Sequence, residues 1–286
     1  MQRILVAANL TPAGMLAIRR ACDLASGHCA DVRLVHVVKP SARTGEVDAA
    51  QTRADEAARE AAVHYPCVGE VSACVLKGAL VDAVCREAEA YRADLIVAGA
   101  HADRDWRDSL FGTAGERIMH AAGPPVLIVR HDATGPYRRV LAAVDTGMGA
   151  AGPLRLACQI SSADTIFAVH AFAPNLSGLV RAGGKAGLQD LEQRELEKAV
   201  RDALAGRTDL SVHVQAAALP GDPTSAMISA WEVFRPDLLV VASHGRSGLA
   251  RILVGSVADS MIDQLPFDML VQRLPAGTAA DSSTGS

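Results

Sequence analysis

The chain has 286 residues, of which 50% are hydrophobic, 21% charged and only 3% aromatic, and its formal net charge is −4. That length and apolar share suffice for one or two sizeable cores. The acidic balance argues against a nucleic-acid partner, whose phosphates require a basic face, and the scarcity of aromatic rings removes the stacking platforms of single-strand binders.

Taken in chain order, residues 2–8 are an apolar, β-branched run that reads as a buried strand rather than a signal sequence. No apolar stretch nears the ~18 residues needed to cross a bilayer, so a cytoplasmic protein without a membrane span is expected. A helix over 12–27 follows, then a strand in VRLVHVV, an Ala/Glu/Arg helix over 44–64 and a strand in EVSACVL. GALVDAVCREAEAYR reads as a helix, DLIVAGA as a strand, 109–122 as a helix and PVLIVR as the last strand of a first unit. The six cysteines (Cys22, Cys29, Cys67, Cys74, Cys85, Cys158) never form a CxxC pair. They are expected to be reduced, mostly buried thiols, and no metal site is expected.

After the turn-rich HDATGPY (131–137) the chain starts again. RILVAANLTP (3–12) matches RVLAAVDTGM (139–148), RADLIVAGAH (92–101) matches RPDLLVVASH (235–244), and PPVLIVR (124–130) matches FDMLVQR (267–273), all in the same order. Strands are expected near 138–144, 164–171, 210–217, 237–243 and 268–273, with helices between, one of them opened by Asp222 before Pro223. The boundaries implied are a first domain at 1–131, a second at 138–273 and a disordered tail at 274–286. Strand–helix alternation predicts an α/β fold: two tandem, open, five-stranded parallel sheets with helices on both faces.

In such sheets a ligand sits beyond the carboxyl ends of the strands, where strand order reverses. The first and fourth strands of each unit should flank that crevice. They bring Asn9 near Gly99 in unit one, and Asp145 near Ala242 in unit two. The stretch ASHGRSGLARILVGSVADSM (242–261) therefore runs from the ligand edge of a strand into a helix.

These residues resemble the universal stress protein family in its tandem, two-copy form, across residues 1–273. That family's adenine-nucleotide signature is Gly, two residues, Gly, nine residues, then Gly-Ser or Gly-Thr, with an Asp ending the first strand. Unit two fits with one change: Ala242 stands for the first glycine, followed by Gly245, Gly255-Ser256 and the acidic Asp145. The resemblance implies Asp145 and Ala171 at an adenosine, and Gly245, Gly255, Ser256 and Val257 around phosphates. Glycines there would let backbone amides approach an anion at a helix start. The charges of Arg246 and Arg251 add two phosphate partners.

Unit one departs further. Asn9 replaces the Asp and Ala102 the second glycine, while Gly99 and Gly112-Thr113 remain. Asp103 and Asp108 occupy the slots of Arg246 and Arg251, which turns the loop hostile to phosphate. Asp103, Asp105 and Asp108 read as a solvated loop, and His101 and His244 as caps on backbone carbonyls. The expectation is a stress-response protein binding or sensing ATP or another adenine nucleotide, with or without Mg2+, in unit two only. No Walker lysine or nucleophile elbow appears, so no dedicated catalytic centre is expected. Slow ATP hydrolysis stays open as an alternative. So does a module for a non-nucleotide small molecule, a lipid or a protein partner. The final strands, 125–130 and 268–273, are expected to pair within the chain about a pseudo-two-fold axis, leaving open a homodimer of whole chains. Asp268 in the second of them reads as a gatekeeper charge of an edge strand rather than as the mark of a ligand cavity.

Overall fold

The computed structural model describes residues 1–99, 114–130, 135–146, 151–174, 180–205, 212–244 and 267–274. In unit one, β1 (Arg3–Ala7), α1 (Pro12–Ser26), β2 (Asp31–Val38), α2 (Thr44–His64), β3 (Val71–Lys77), α3 (Leu80–Tyr91), β4 (Leu95–Gly99), α4 (Ala114–Ala121) and β5 (Val126–Val129) alternate. Unit two repeats the pattern with β6 (Arg139–Ala143), α5 (Ala151–Ile160), β7 (Thr165–Phe172), α6 (Lys185–Leu204), β8 (His213–Pro220), α7 (Pro223–Phe234), β9 (Leu238–His244) and β10 (Asp268–Leu274).

The two five-stranded parallel sheets are present, and they join edge to edge into one ten-stranded sheet of order β3-β2-β1-β4-β5-β10-β9-β6-β7-β8. The seam is the antiparallel pair of β5 with β10, in which Leu127 faces Leu270. The two cores are accordingly divided by sheet face and not by unit. One face gathers Ile4, Ile18 and Leu127 with Leu154, Leu196 and Leu270. The other gathers Leu5, Ile96 and Ile118 with Leu141, Met227 and Met269.

Local chemistry explains the element starts. Thr11 caps α1 by accepting from Gly14 N, with Pro12 at the first helical position, and Asp222 caps α7 in the same way ahead of Pro223. The repeated R-x-D-L segments also share a job. Arg92 and Arg235 end their helices in the left-handed region, at φ 54° and 47°. Asp94 then accepts from Arg3 N at 3.0 Å, and Asp237 from Arg138 N and Arg139 N at 2.8 and 3.0 Å, tying the fourth strand to the first. Gly183 and Gly184, at φ +73° and +120°, turn the chain of RAGGKAG into α6. β8 begins at His213, later than its apolar run suggests, because its ladder with β7 starts at Thr165↔His213.

Two expectations are corrected. Asp268 does not guard an exposed edge: it is buried, and its Oδ2 accepts from the Tyr137 hydroxyl at 2.6 Å while Oδ1 accepts from Arg130 N at 2.8 Å. Arg20 of α1 lies 3.3 Å from the same carboxylate, donates to Gly135 O at 2.7 Å and stacks over the Tyr137 ring at 4.4 Å. An edge charge is exposed only if the edge is, and here the other unit covers it. No disulfide joins the six cysteines, and only Cys22 is buried; Cys29 and Cys67 lie exposed in turns.

Candidate functional site

β1 pairs β4, and β6 pairs β9, both in parallel, so the reversal of strand order falls between the first and fourth strands of each unit. In unit two this brings three expected positions to one sheet edge. Asp145 follows β6, Ala171 is near the end of β7, and Ala242 lies on β9 in register with Gln272. Ala171 also pairs with Leu219 of β8. His244 is the last residue of β9, opposite Leu274. Gly245, Arg246, Arg251, Gly255, Ser256 and Val257 lie outside the described residues, as do His101, Asp103, Asp105, Asp108, Gly112 and Thr113.

Unit one brings Asn9 and Gly99 to the corresponding edge, Gly99 in register with Val129. The Asn9 side chain is turned back on its own loop. Its Oδ1 accepts from Thr11 Oγ1 at 2.8 Å and from Thr11 N at 3.3 Å. A Cβ added at Gly14 would fall 2.0 Å from that oxygen, so glycine at 14 is what admits the amide. An Asx turn of this kind uses up the acceptor in the local cap.

The sequence reading missed two histidines. His36 of β2 and His170 of β7 hold the carbonyls of Ala8 and Val144, at 2.9 and 3.0 Å, through Nδ1. A carbonyl only accepts, so Nδ1 carries the proton in both rings. Each carbonyl belongs to the residue immediately before Asn9 or Asp145. In unit two the ring's other nitrogen stands 3.6 Å from Glu192 Oε2 of α6. The signal was available: a Val-His step recurs in the second strand of both units, in VRLVHVV and IFAVHAF.

Fold and strand order define a two-copy α/β protein with one reversal of strand order per copy, built on a single continuous sheet. The sequence model of the universal stress protein family matches residues 1–130 and again 136–273, and the chain belongs to that family. A universal stress protein of Methanocaldococcus jannaschii is 29% identical over 98 residues, covering 34% of this chain and 58% of that protein. Among solved structures, a universal stress protein from Archaeoglobus fulgidus is similar over 95% of this chain and 96% of its own, at 18% identity and a TM-score of 0.70. A Pseudomonas aeruginosa protein described as of the same family is similar over 96% of this chain and 93% of its own, at 21% identity and a TM-score of 0.61. These structural likenesses speak to the fold. Among the described residues no helix is long and apolar enough to cross a membrane.

Proposed function

We propose that the chain is a cytoplasmic stress-response protein that binds an adenine nucleotide, ATP or AMP, in the crevice of unit two (138–273). Unit one (1–131) serves as its structural mate. The observation that carries this reading is the contrast at the two strand ends. The contrast is one of charge: Asn9 offers a neutral amide, which accepts from Thr11 in its own loop and lies against Gly14. Asp145 brings a carboxylate to the same place, half-buried, where it can accept from ribose hydroxyls or the adenine amino group. Arg246 and Arg251 then supply the cations for phosphates, with Mg2+ as a companion of ATP, and Gly255-Ser256 the backbone amides. The reading includes no dedicated catalytic centre: the assigned groups bind and orient a nucleotide.

Native mass spectrometry of freshly purified protein and titration with a fluorescent ATP analogue test it. One nucleotide per chain is expected, with affinity lost in Asp145→Ala and in the Arg246→Glu, Arg251→Glu double variant. A wild-type chain that takes up no adenine nucleotide, or whose binding survives both variants, overturns it.

A further inference from the structure

We infer that Cys29 and Cys67 form a reversible redox clip, a disulfide that ties the ends of α1 and α2 together when a small-molecule disulfide oxidises the chain. Both side chains are exposed, each in the turn that leads from a helix of unit one into the next strand. Those strands, β2 and β3, are parallel neighbours, with Val32 opposite Val71. The turns that feed them are in contact too. Gly69 N donates to Ala30 O at 3.0 Å, and Glu70 N donates to Asp31 Oδ1 at 2.9 Å. A Cβ added at Gly69 would run into Asp31 Oδ1 and stand 3.2 Å from the Cys29 carbonyl oxygen, so glycine at 69 is what lets the two turns close up. Carried back from Val32 and Val71, the register sets Cys29 opposite Val68, next to Cys67. Cα atoms one residue out of register on adjacent strands lie about 6 Å apart, the span of a disulfide.

The other four thiols are poorly placed for exchange. Burial, with the charge of Asp23 beside it, pushes the Cys22 thiol up to about 12, and burial raises Cys74 and Cys85 as well, which leaves little thiolate to attack a disulfide. Cys158 is half-buried. The end of α1 has no need of a cysteine. Cys29 sits at φ 49°, where Ala30 N closes back on Ala25 O at 3.1 Å and glycine is the usual residue. Unit two, counted back from its matched strands, has Ala163 and Leu210 at the two positions, so the pair is not a requirement of the fold. Among the described residues no three His, Cys, Asp or Glu side chains gather to hold a metal, which leaves the pair to covalent chemistry.

The clip acts where the two helices stand apart. Between α1 and α2 lies an open cavity of about 370 Å³, lined by Met15, Ile18 and Arg19 on one side and by Glu60, His64 and Tyr65 on the other. A bond between the helix ends closes the chain from 29 to 67 into a loop, restricts the unfolded ensemble and fixes the width of that cavity. The step is thiol–disulfide exchange. The thiolate of one cysteine attacks a sulfur of the small disulfide and expels a small thiolate, leaving a mixed disulfide on the protein. The second cysteine attacks the protein sulfur of that bond and expels the other small thiolate. The chain gives up two electrons and two protons, and both leave on the two small thiols.

The test incubates the full chain with oxidised glutathione at neutral pH and reads intact mass, tandem mass spectra of a non-reduced tryptic digest, and thermal melting. The wild type is expected to lose two hydrogens, to give fragments joining Cys29 to Cys67, and to melt roughly 5 °C higher, all reversed by dithiothreitol. Fragment ions must place the bond, because peptides 21–33 and 60–77 also carry Cys22 and Cys74. Cys29→Ser and Cys67→Ser should each halt at a mixed disulfide, heavier by one glutathionyl group, and melt as the reduced chain does. A wild-type chain that stays reduced, keeps mixed disulfides at both positions, or bonds between chains or to other cysteines overturns the inference. So does a Cys29–Cys67 bond that leaves melting unchanged. None of these readouts depends on nucleotide binding.

Discussion

Arg20 and Asp268, near opposite ends of the chain, meet as a buried ion pair with Nε 3.3 Å from Oδ2 and side chains 2% and 3% exposed. The pair breaks the pseudo-symmetry of the seam. By the matched segments, the positions corresponding to Arg20 and Asp268 in the opposite units are Leu156 and Pro125. A pairing of unit two with another unit two would set the Asp268 carboxylate beside leucine, with no cation to meet it. Buried unpaired charge is among the strongest penalties available to a fold, so the pair specifies which unit joins which.

The first prediction follows. Arg20→Leu leaves Asp268 buried with only its hydrogen bonds from Tyr137 and Arg130 N, and should destabilise the chain by about 3–5 kcal/mol. The double variant Arg20→Leu, Asp268→Leu removes both charges and should recover part of that loss. With the discrimination gone, it should also exchange units between chains. Denaturant unfolding measures the first effect, and light scattering of the double variant across a concentration series the second. A single variant as stable as wild type would show that the pair contributes nothing to the seam.

Much of this architecture could be read in the residues, because strands buried on both faces and helix caps announce themselves locally. DLIVAGA and DLLVVAS gave their strands through unbroken apolar runs, and Asp222-Pro223 its helix through cap chemistry. The two units declared themselves by three matched segments. Asp268 did not yield, because its environment comes from Arg20 and Tyr137, which nothing in FDMLVQR announces. That Asp145, Ala171 and Ala242 share one sheet edge was legible from the strand order, but the contacts around them were not. The contact of His170 with the Val144 carbonyl joins two strands, and no local pattern connects them. Asn9 was legible as a lost carboxylate, whereas its turn onto Thr11 required the loop's geometry.

A second prediction concerns alkaline pH. Burial pushes the Tyr137 phenol well above its usual range, and the neighbouring Asp268 charge adds to this; burial, with Asp23 beside it, pushes the Cys22 thiol up to about 12. Both groups hold their protons more tightly folded than unfolded. Their contribution is complete below the unfolded values and is lost as pH rises toward the folded ones. Unfolding free energy should therefore decline steadily from about pH 9 upward, where an unfolded thiol and then a phenol would begin to ionise. Tyr137→Phe and Cys22→Ala should each flatten that slope. Urea titrations at stepped pH measure it, and slopes equal to wild type in both variants would refute the account.

Asp23 gives a third prediction with the same sign at the acid end. Its carboxyl is raised by burial, although the Gly135 amide, Arg20 and Arg19 pull it down. A raised folded value means that Asp23 contributes least when ionised, at neutral pH. Asp23→Asn keeps an oxygen for Gly135 N, now accepted at 3.3 Å, and removes the charge. The variant should be at least as stable as wild type at pH 7, with its advantage vanishing below about pH 4. A variant less stable at pH 7 than at pH 4, relative to wild type, would reverse the sign.

The fourth prediction comes from the outer edges of the sheet. β3 and β8 are its terminal strands, and an unpaired edge invites another chain to extend it. Gln51 covers β3, and Gln193 covers β8 with Gln189, which donates to Ala218 O beside it. Gln51 donates to Ala73 O at 3.3 Å and accepts from Val75 N at 3.0 Å; Gln193 does the same to Ala216 and Ala218, both at 2.9 Å. Each amide is steadied by a carboxylate one helical turn on, Asp55 and Glu197, both at 2.9 Å. A single side chain thus occupies a donor and an acceptor that a docking strand would need. Gln51→Ala and Gln193→Ala should each lose about 1–2 kcal/mol from two hydrogen bonds. Their freed edges should also drive association through the sheet ends, most strongly in the double variant. Light scattering across a concentration series reads this directly, and a double variant with the wild-type mass at every concentration would show that something other than these amides protects the edges.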